Sequence, residues 1–267
     1  MLRGASAEAK ATLDSRARSA RSLAENATLG EQLLAVARLL RAEPALRRVA
    51  TDASVEGDAK AGLIGNVLGG GKVGDATLDV VREAVRQRWT SSRDLPDVLE
   101  LLGIEAVVRS AGAQGSKISD ELFQVSQLID ANPDLRSALS DPARSRESKS
   151  ELLSGLLYGK VQEPTMRLVT QALEGVGSVT GALESYQHIA AAVQDELIAR
   201  VHTARPLGAT ELSRLTAALG RAYATTVHLH VVEDPALIGG LRVEIGDDVI
   251  DGSVTTKLDN ARRRIAG

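Results

Sequence analysis

The chain has 267 residues, enough for one large domain or two to three small ones; 43% are hydrophobic and only 2% aromatic. Its cores must therefore be built from Leu, Val, Ile and Ala, which favours closely packed helices. A net charge of −3 leaves no electrostatic footprint for nucleic acid, and the absence of cysteine excludes disulfides, thiolate nucleophiles and cysteine metal sites.

The N-terminus mixes Arg3, Lys10, Arg16, Arg18 and Arg21 with Glu8, Asp14 and Glu25 and holds no apolar segment of signal-peptide type. No apolar run approaches the roughly 18 residues that span a bilayer, so a soluble intracellular protein is expected. Leu33-Leu34, Val36-Ala37 and Leu39-Leu40 fall on one helical face, and Pro44 ends or restarts that element. The same pattern continues over 58–68, 75–89 and 95–108, with Gly- and Ser-rich breaks between. Gly69-Gly70-Gly71-Lys72 invites a phosphate-loop reading. The first Gly of that motif is Asn66 here, however, Val73 follows the Lys, and no strand precedes it. An inter-helix turn is the better reading.

The chain then repeats itself. Leu33, Val36, Leu39, Ala42, Pro44, Leu46, Arg47 and Asp52 recur as Leu122, Val125, Leu128, Ala131, Pro133, Leu135, Arg136 and Asp141, at a constant offset of 89. Lys60/Lys149, Leu63/Leu152 and Leu68/Leu157 keep the register. One residue drops out before Lys72/Lys160, Val73/Val161, Thr77/Thr165, Val81/Val169 and Ala84/Ala172. Shared helical phase alone would not reproduce the Pro and Asp pairs, so a duplicated helical bundle is expected. The second copy should hold helices over 118–131, 146–158, 163–176 and 179–200. The stretch Ser110-Ala111-Gly112-Ala113-Gln114-Gly115-Ser116 reads as the linker between copies.

Beyond Arg200 the periodicity changes. Val201-His202-Thr203-Ala204-Arg205-Pro206-Leu207 is extended, and 210–224 is a helix with Leu212, Leu215, Ala218 and Leu219 on its apolar face. Val227, Leu229 and Val231 alternate as a strand. His228 and His230 share one face of it; with no third ligand nearby, they are expected on its wet side. Leu241, Val243 and Ile245 form a second strand, Gly246-Asp247-Asp248 a turn, and Val249 resumes an extended run that Asp251-Gly252-Ser253 stops. Ser253 is a good N-cap for a helix over 254–265 carrying Lys257, Arg262, Arg263 and Arg264. Asp247, Asp248 and Asp251 lack the spacing of a calcium loop. No Gly-x-Ser-x-Gly or His-Glu-x-x-His occurs, so neither catalytic, cofactor-binding nor metal-binding residues are assigned and an enzyme is not expected. The expected fold is mainly α: tandem N-terminal helical bundles (1–109 and 110–200) followed by a small α+β C-terminal domain with a β-hairpin (201–267).

Two motifs carry a resemblance. Ile238-Gly239-Gly240-Leu241, followed by Gly246-Asp247-Asp248-Val249-Ile250-Asp251-Gly252-Ser253-Val254, resembles the C-terminal signature of the ATP synthase delta subunit family, called oligomycin-sensitivity-conferring protein in mitochondria. Thr203-Ala204-Arg205-Pro206-Leu207 resembles its junction motif. From about residue 108 onward the chain looks like an ordinary member, and the first hundred residues look like an added N-terminal bundle, as in the actinobacterial branch. One departure is Gly177-Ser178, where many relatives carry Gly-Arg.

The resemblance implies a non-catalytic peripheral-stalk, or stator, subunit of a proton-translocating F-type ATP synthase at the cytoplasmic face of the cell membrane. Its implied partners are the N-terminal helix of an alpha subunit and a b-type stalk subunit, with the beta subunit and membrane sector contacted indirectly, and no nucleic acid. The second copy is the expected site for the alpha helix, with Leu183, Ile189, Ala190, Val193 and Leu197 offered by the 179–200 helix. The duplication alone would fit equally a helical-repeat adaptor unrelated to ATP synthesis; the two motifs would not.

Overall fold

A computed structural model describes residues 2–18, 20, 22–175, 177–246 and 248–254. The chain folds as two compact units, Met1–Ala190 and Ala191–Gly267. The first unit is helical: α1 (Ala5–Ala17), α2 (Leu23–Ala42), α3 (Pro44–Thr51), α4 (Gly57–Leu68), α5 (Asp75–Arg86), α6 (Asp94–Ser110), α7 (Ser116–Asp130), α8 (Pro133–Ser140), α9 (Arg146–Leu157), α10 (Glu163–Glu174) and α11 (Val179–Val193). Local chemistry explains the starts. Ser22 and Glu25 form a reciprocal capping box ahead of α2, and Pro44 and Pro133 occupy the first positions of α3 and α8, where a missing N–H leaves nothing unpaired.

The duplication is visible element by element. Helices α3 and α8 both have 8 residues, α4 and α9 both have 12, and α5 and α10 both have 12, each pair starting and ending in the sequence register. Asp52 and Asp141 end α3 and α8, and each accepts a hydrogen bond from the N–H two residues on, at 2.8 Å in both copies. The side chain of Gln32 accepts from the Gly74 N–H (2.8 Å) and the Thr77 hydroxyl (2.7 Å), capping α5 from α2. Glu121, at the equivalent position of α7, does the same for α10, accepting from the Gln162 N–H (3.0 Å) and the Thr165 hydroxyl.

The two copies overlap in one helix. The register that carries α2 onto α7 also carries α1 onto α6, matching Leu13 with Leu102 and Ala17 with Ala106, all four inaccessible to solvent. The register after the lost residue carries α6 onto α11, matching buried Leu95 with buried Leu183. Helix α6 therefore closes the first copy and opens the second. It crosses α2 so closely that a Cβ at Gly30 would lie 2.9 Å from the Gly103 carbonyl oxygen and 2.7 Å from Val107. The stretch expected as a linker is a short turn, with Gly112–Gln114 as one 3-10 turn between α6 and α7. The expected division at 109/110 thus falls at the end of a helix common to both copies, inside one compact unit.

The second unit holds β1 (Leu197–Thr203), α12 (Ala209–Tyr223), β2 (Val227–Glu233), β3 (Leu241–Ile245) and β4 (Asp248–Asp251). The sheet order is β2-β1-β3-β4, with β1 parallel to β2 across α12 and the other pairs antiparallel. Ala199, Val201, Leu219, Val227, Val243 and Ile245 make its core.

One element departs from expectation. The helix read over 179–200 ends at Val193, and Leu197 to Thr203 is a strand. Leu197 and Val201 satisfy helical spacing, but Leu197, Ala199 and Val201 also alternate, so the local pattern could not arbitrate. Asp195 breaks the helix with φ 55°, the Glu196 N–H closes back on the Ala191 carbonyl, and the Leu197 N–H then bonds Thr226. Pairing of β1 with both β2 and β3 decides the outcome. The unit boundary accordingly precedes the expected one at Arg200.

Candidate partner-binding sites

The C-terminal signature closes on itself. The Gly252 N–H donates to the Leu241 carbonyl (2.9 Å) and the Val254 N–H to the Gly239 carbonyl (2.9 Å), continuing the β3–β4 ladder past its end. Gly240 has φ +81°, and a Cβ there would lie 2.5 Å from the Gly252 carbonyl oxygen and 2.9 Å from the Ser253 Cα. Gly239-Gly240 and Asp251-Gly252-Ser253, separate in sequence, are thus the two sides of one backbone contact that only glycine admits. Asp251 accepts from the Ser253 N–H (2.9 Å), and Ser253 is 3% exposed. Gly246 supplies the hairpin turn at φ +57°. Asp248 accepts a hydrogen bond from the Tyr223 hydroxyl (3.0 Å), which ties β4 to the end of α12 and holds that phenol proton more firmly than usual.

The same module exposes apolar side chains. Ile238 is 80% exposed, Val249 54%, Ile250 46% and Val254 39%, and β4 is an edge strand of the described sheet. Asp247, the helix expected over 254–265 beyond its first residue, and Lys257, Arg262, Arg263 and Arg264 lie outside the described residues.

The junction motif is the hinge between β1 and α12. Buried Thr203 donates its hydroxyl to the Arg205 carbonyl (2.8 Å) and accepts the Asp234 N–H on its own carbonyl (2.8 Å). Ala204 and Pro206 form the exposed turn, and Leu207 packs on the sheet core. Glu211 accepts from the Gly208 N–H (2.9 Å) at the start of α12 and pairs with Arg205 at 2.7 Å. These bonds lower the Glu211 pKa and raise that of Arg205.

In the second copy, α7, α8 and α9 border an apolar groove of about 490 Å³ that sequence reasoning did not locate. Leu128, Leu135, Ala138, Leu152 and Leu156 line it, with Leu128 and Leu156 each 37% exposed. Asp134 in the first turn of α8 and Arg144 in the loop after it place opposite charges at the two ends of that helix. The duplication was the available signal, since Leu39, Leu46, Leu63 and Val67 repeat these positions. Of the residues expected to offer the groove, Leu183 and Ala190 are buried at 0% and 1% and Leu197 belongs to β1, while Ile189 and Val193 stay half-buried on α11.

The weaker candidates resolve plainly. Gly69 to Lys72 is a turn in which the Lys72 ammonium donates to the Val67 carbonyl (2.8 Å), satisfying the end of α4. His228 pairs with Glu196 at 2.8 Å and His230 is 1% exposed, so neither stands on a wet face as expected; the strand is covered there. No metal-holding group of side chains and no helix long and apolar enough to cross a membrane occur among the described residues.

Residues 105–265 match the family model described as ATP synthase delta (OSCP) subunit. A protein named ATP synthase subunit delta from a Nocardioides species is 49% identical, over 100% of this chain and 98% of the relative. The subunit of the same name from Streptomyces coelicolor is 41% identical over 90% of this chain and 88% of its own length. That from Nocardia farcinica is 41% identical over 90% of each. The Nocardioides relative matches the chain from end to end, including the residues that precede the family match, so the added copy is shared.

Proposed function

This chain belongs to the ATP synthase delta (OSCP) family, and from that premise we propose that it is a non-catalytic stator subunit linking the alpha/beta head of an F-type ATP synthase to a b-type stalk. The observation that carries this reading is the closure of the C-terminal signature. The residues of the family motif meet in one backbone contact, at Gly240 against Gly252 and Ser253, rather than merely recurring in sequence. A connector needs rigid elements and docking surfaces instead of a reactive pocket. The α7–α8–α9 groove offers aliphatic anchors for an amphipathic helix, read here as that of the alpha N-terminus. The exposed apolar edge of β4 offers a surface for the b-type stalk. Association with the cytoplasmic face of the cell membrane follows through those partners.

Affinity purification from membranes tests the reading. Recovery of alpha, beta and b-type subunits supports it, and recovery of the chain without them defeats it. A chain ending at Val193 retains every helix from α1 to α11 and should lose the b-type subunit while still binding an alpha N-terminal peptide. Ending it at Arg200 would leave half of β1 without partners. Each buried aliphatic anchor contributes about 1.5–3 kcal/mol before ordering costs. Leu152→Glu should therefore weaken peptide binding while leaving the b-type interaction intact.

A further inference from the structure

At the overlap of the two copies lies a buried polar cluster that neither family motif contains. Glu100 of α6 accepts from the Arg41 guanidinium of α2 (2.6 Å), the Gln171 amide of α10 (2.8 Å) and the Tyr186 hydroxyl of α11 (3.0 Å). Gln171 in turn accepts from Arg38 of α2 (2.6 Å), and Arg41 also reaches Asp97 (2.7 Å). Further along, Arg167 of α10 pairs with Glu31 of α2 at 2.8 Å. Gln171 is 3% exposed and Tyr186 5%, and the Glu100 side chain is 16% exposed.

The electrostatics fit a carboxylate held ionised. Burial pushes the Glu100 carboxyl up, but hydrogen bonds from Arg41, Gln171 and Tyr186 and the Arg41 charge outweigh it and leave the group below its usual range. Burial, with the adjacent Glu100 charge and hydrogen bond, drives the Tyr186 phenol well above its ordinary value. A buried carboxylate with three donors on three helices has one geometry that satisfies it, and any rotation of one copy against the other leaves charge unpaired in a dry site.

The internal comparison shows that this cluster is an addition. In the first copy the equivalent of Gln171 is Glu83, which meets Arg16 of α1 at 3.2 Å in an ion pair whose arginine is half exposed. The equivalent of Tyr186 is Val98, an apolar core residue. At these positions the first copy makes contacts within itself, whereas the second reaches across to α2.

We infer that Glu100 is the positioning residue that locks the two copies into one mechanical body, so that a load on one copy reaches the other without a hinge between them. The chain has no cysteine, so two introduced ones label it without background. Leu63→Cys in α4 and Tyr158→Cys just beyond α9, both exposed, carry spin labels on the full chain. Pulsed dipolar spectroscopy should give one narrow distance distribution. Glu100→Ala should broaden and shift it, and Glu100→Gln, which keeps an acceptor for Gln171 and Tyr186, should recover part of the narrowing. A broad distribution in the parent, or an unaltered narrow one in a folded Glu100→Ala chain, overturns the inference. Should Glu100→Ala not fold, Glu100→Gln with Tyr186→Phe removes the ionic and phenolic contacts without opening a cavity; unchanged width there also overturns it.

Discussion

The two helical copies solve the same local problems with different side chains, and only one of them meets a problem that the other lacks. Gln32 and Glu121 cap equivalent helices from equivalent positions, one with an amide and one with a carboxyl group. Asp58 with Arg86 and Arg146 with Glu174 tie the start of the fourth helix to the end of the fifth, both at 2.8 Å and with the charges exchanged. Such exchanges preserve the geometry of a contact while freeing its chemistry. Where the copies meet, the symmetry ends: Glu100 serves both, and its cluster has no counterpart.

The largest way to break this equivalence lies at the α2–α6 crossing. A Cβ at Gly30 would press on backbone atoms, so Gly30→Ala should destabilise the helical unit by roughly 3 kcal/mol, as overpacking does. Its second-copy counterpart Ser119 already has a Cβ and buries a hydroxyl with no hydrogen-bond partner among the described residues. Ser119→Ala should instead stabilise by about 0.5–1 kcal/mol, because an unsatisfied polar atom is removed. Denaturant melts of the two variants should therefore move in opposite directions; a shared direction would mean that the two positions pack alike after all.

Next in size, Glu100→Ala should cost about 2 kcal/mol by leaving Arg41 without its buried partner. The pH dependence has a definite sign. Because the folded Glu100 carboxyl is held below its ordinary value, its stabilisation is complete at neutral pH and is lost as the pH falls through that depressed value. A Glu100→Gln chain should lack this part of the acid sensitivity, and chemical melts from neutral to acidic pH compare the two.

Smaller effects sharpen the comparison. Glu121→Gln makes the second cap resemble the first and should lose about 0.5 kcal/mol, the interaction of a carboxylate with a helix N-terminus, while Gln32→Glu should gain a similar amount. Reversing Asp58 and Arg86 together should leave the melting curve unchanged, since Asp58 is 80% exposed and such pairs contribute little. A large loss from that exchange would show that the pairs orient the helices rather than merely decorate them.

Much of this was legible beforehand because its causes are local or repeated. Pro44 and Pro133 and the Gly69 to Lys72 turn depend on neighbours a few residues away, and they stand where the pattern put them. The hairpin followed from strict alternation in Leu241, Val243 and Ile245 around a turn at Gly246. His230 was misjudged because alternation shows which residues share a face but not whether another element covers it.

The sequence by itself determined the helical class, the duplication, the strand pair at the C-terminus and the family, since periodicity, proline and glycine placement and repeated spacing act through short-range sterics. Tertiary structure alone decided the rest. Leu197 to Thr203 became a strand because β2 and β3 offered ladder partners that helical spacing could not compete with. Helix α6 came to serve two copies, and Glu100 to join four helices, because a buried carboxylate must find its donors wherever the packed chain brings them, however far apart they lie in sequence.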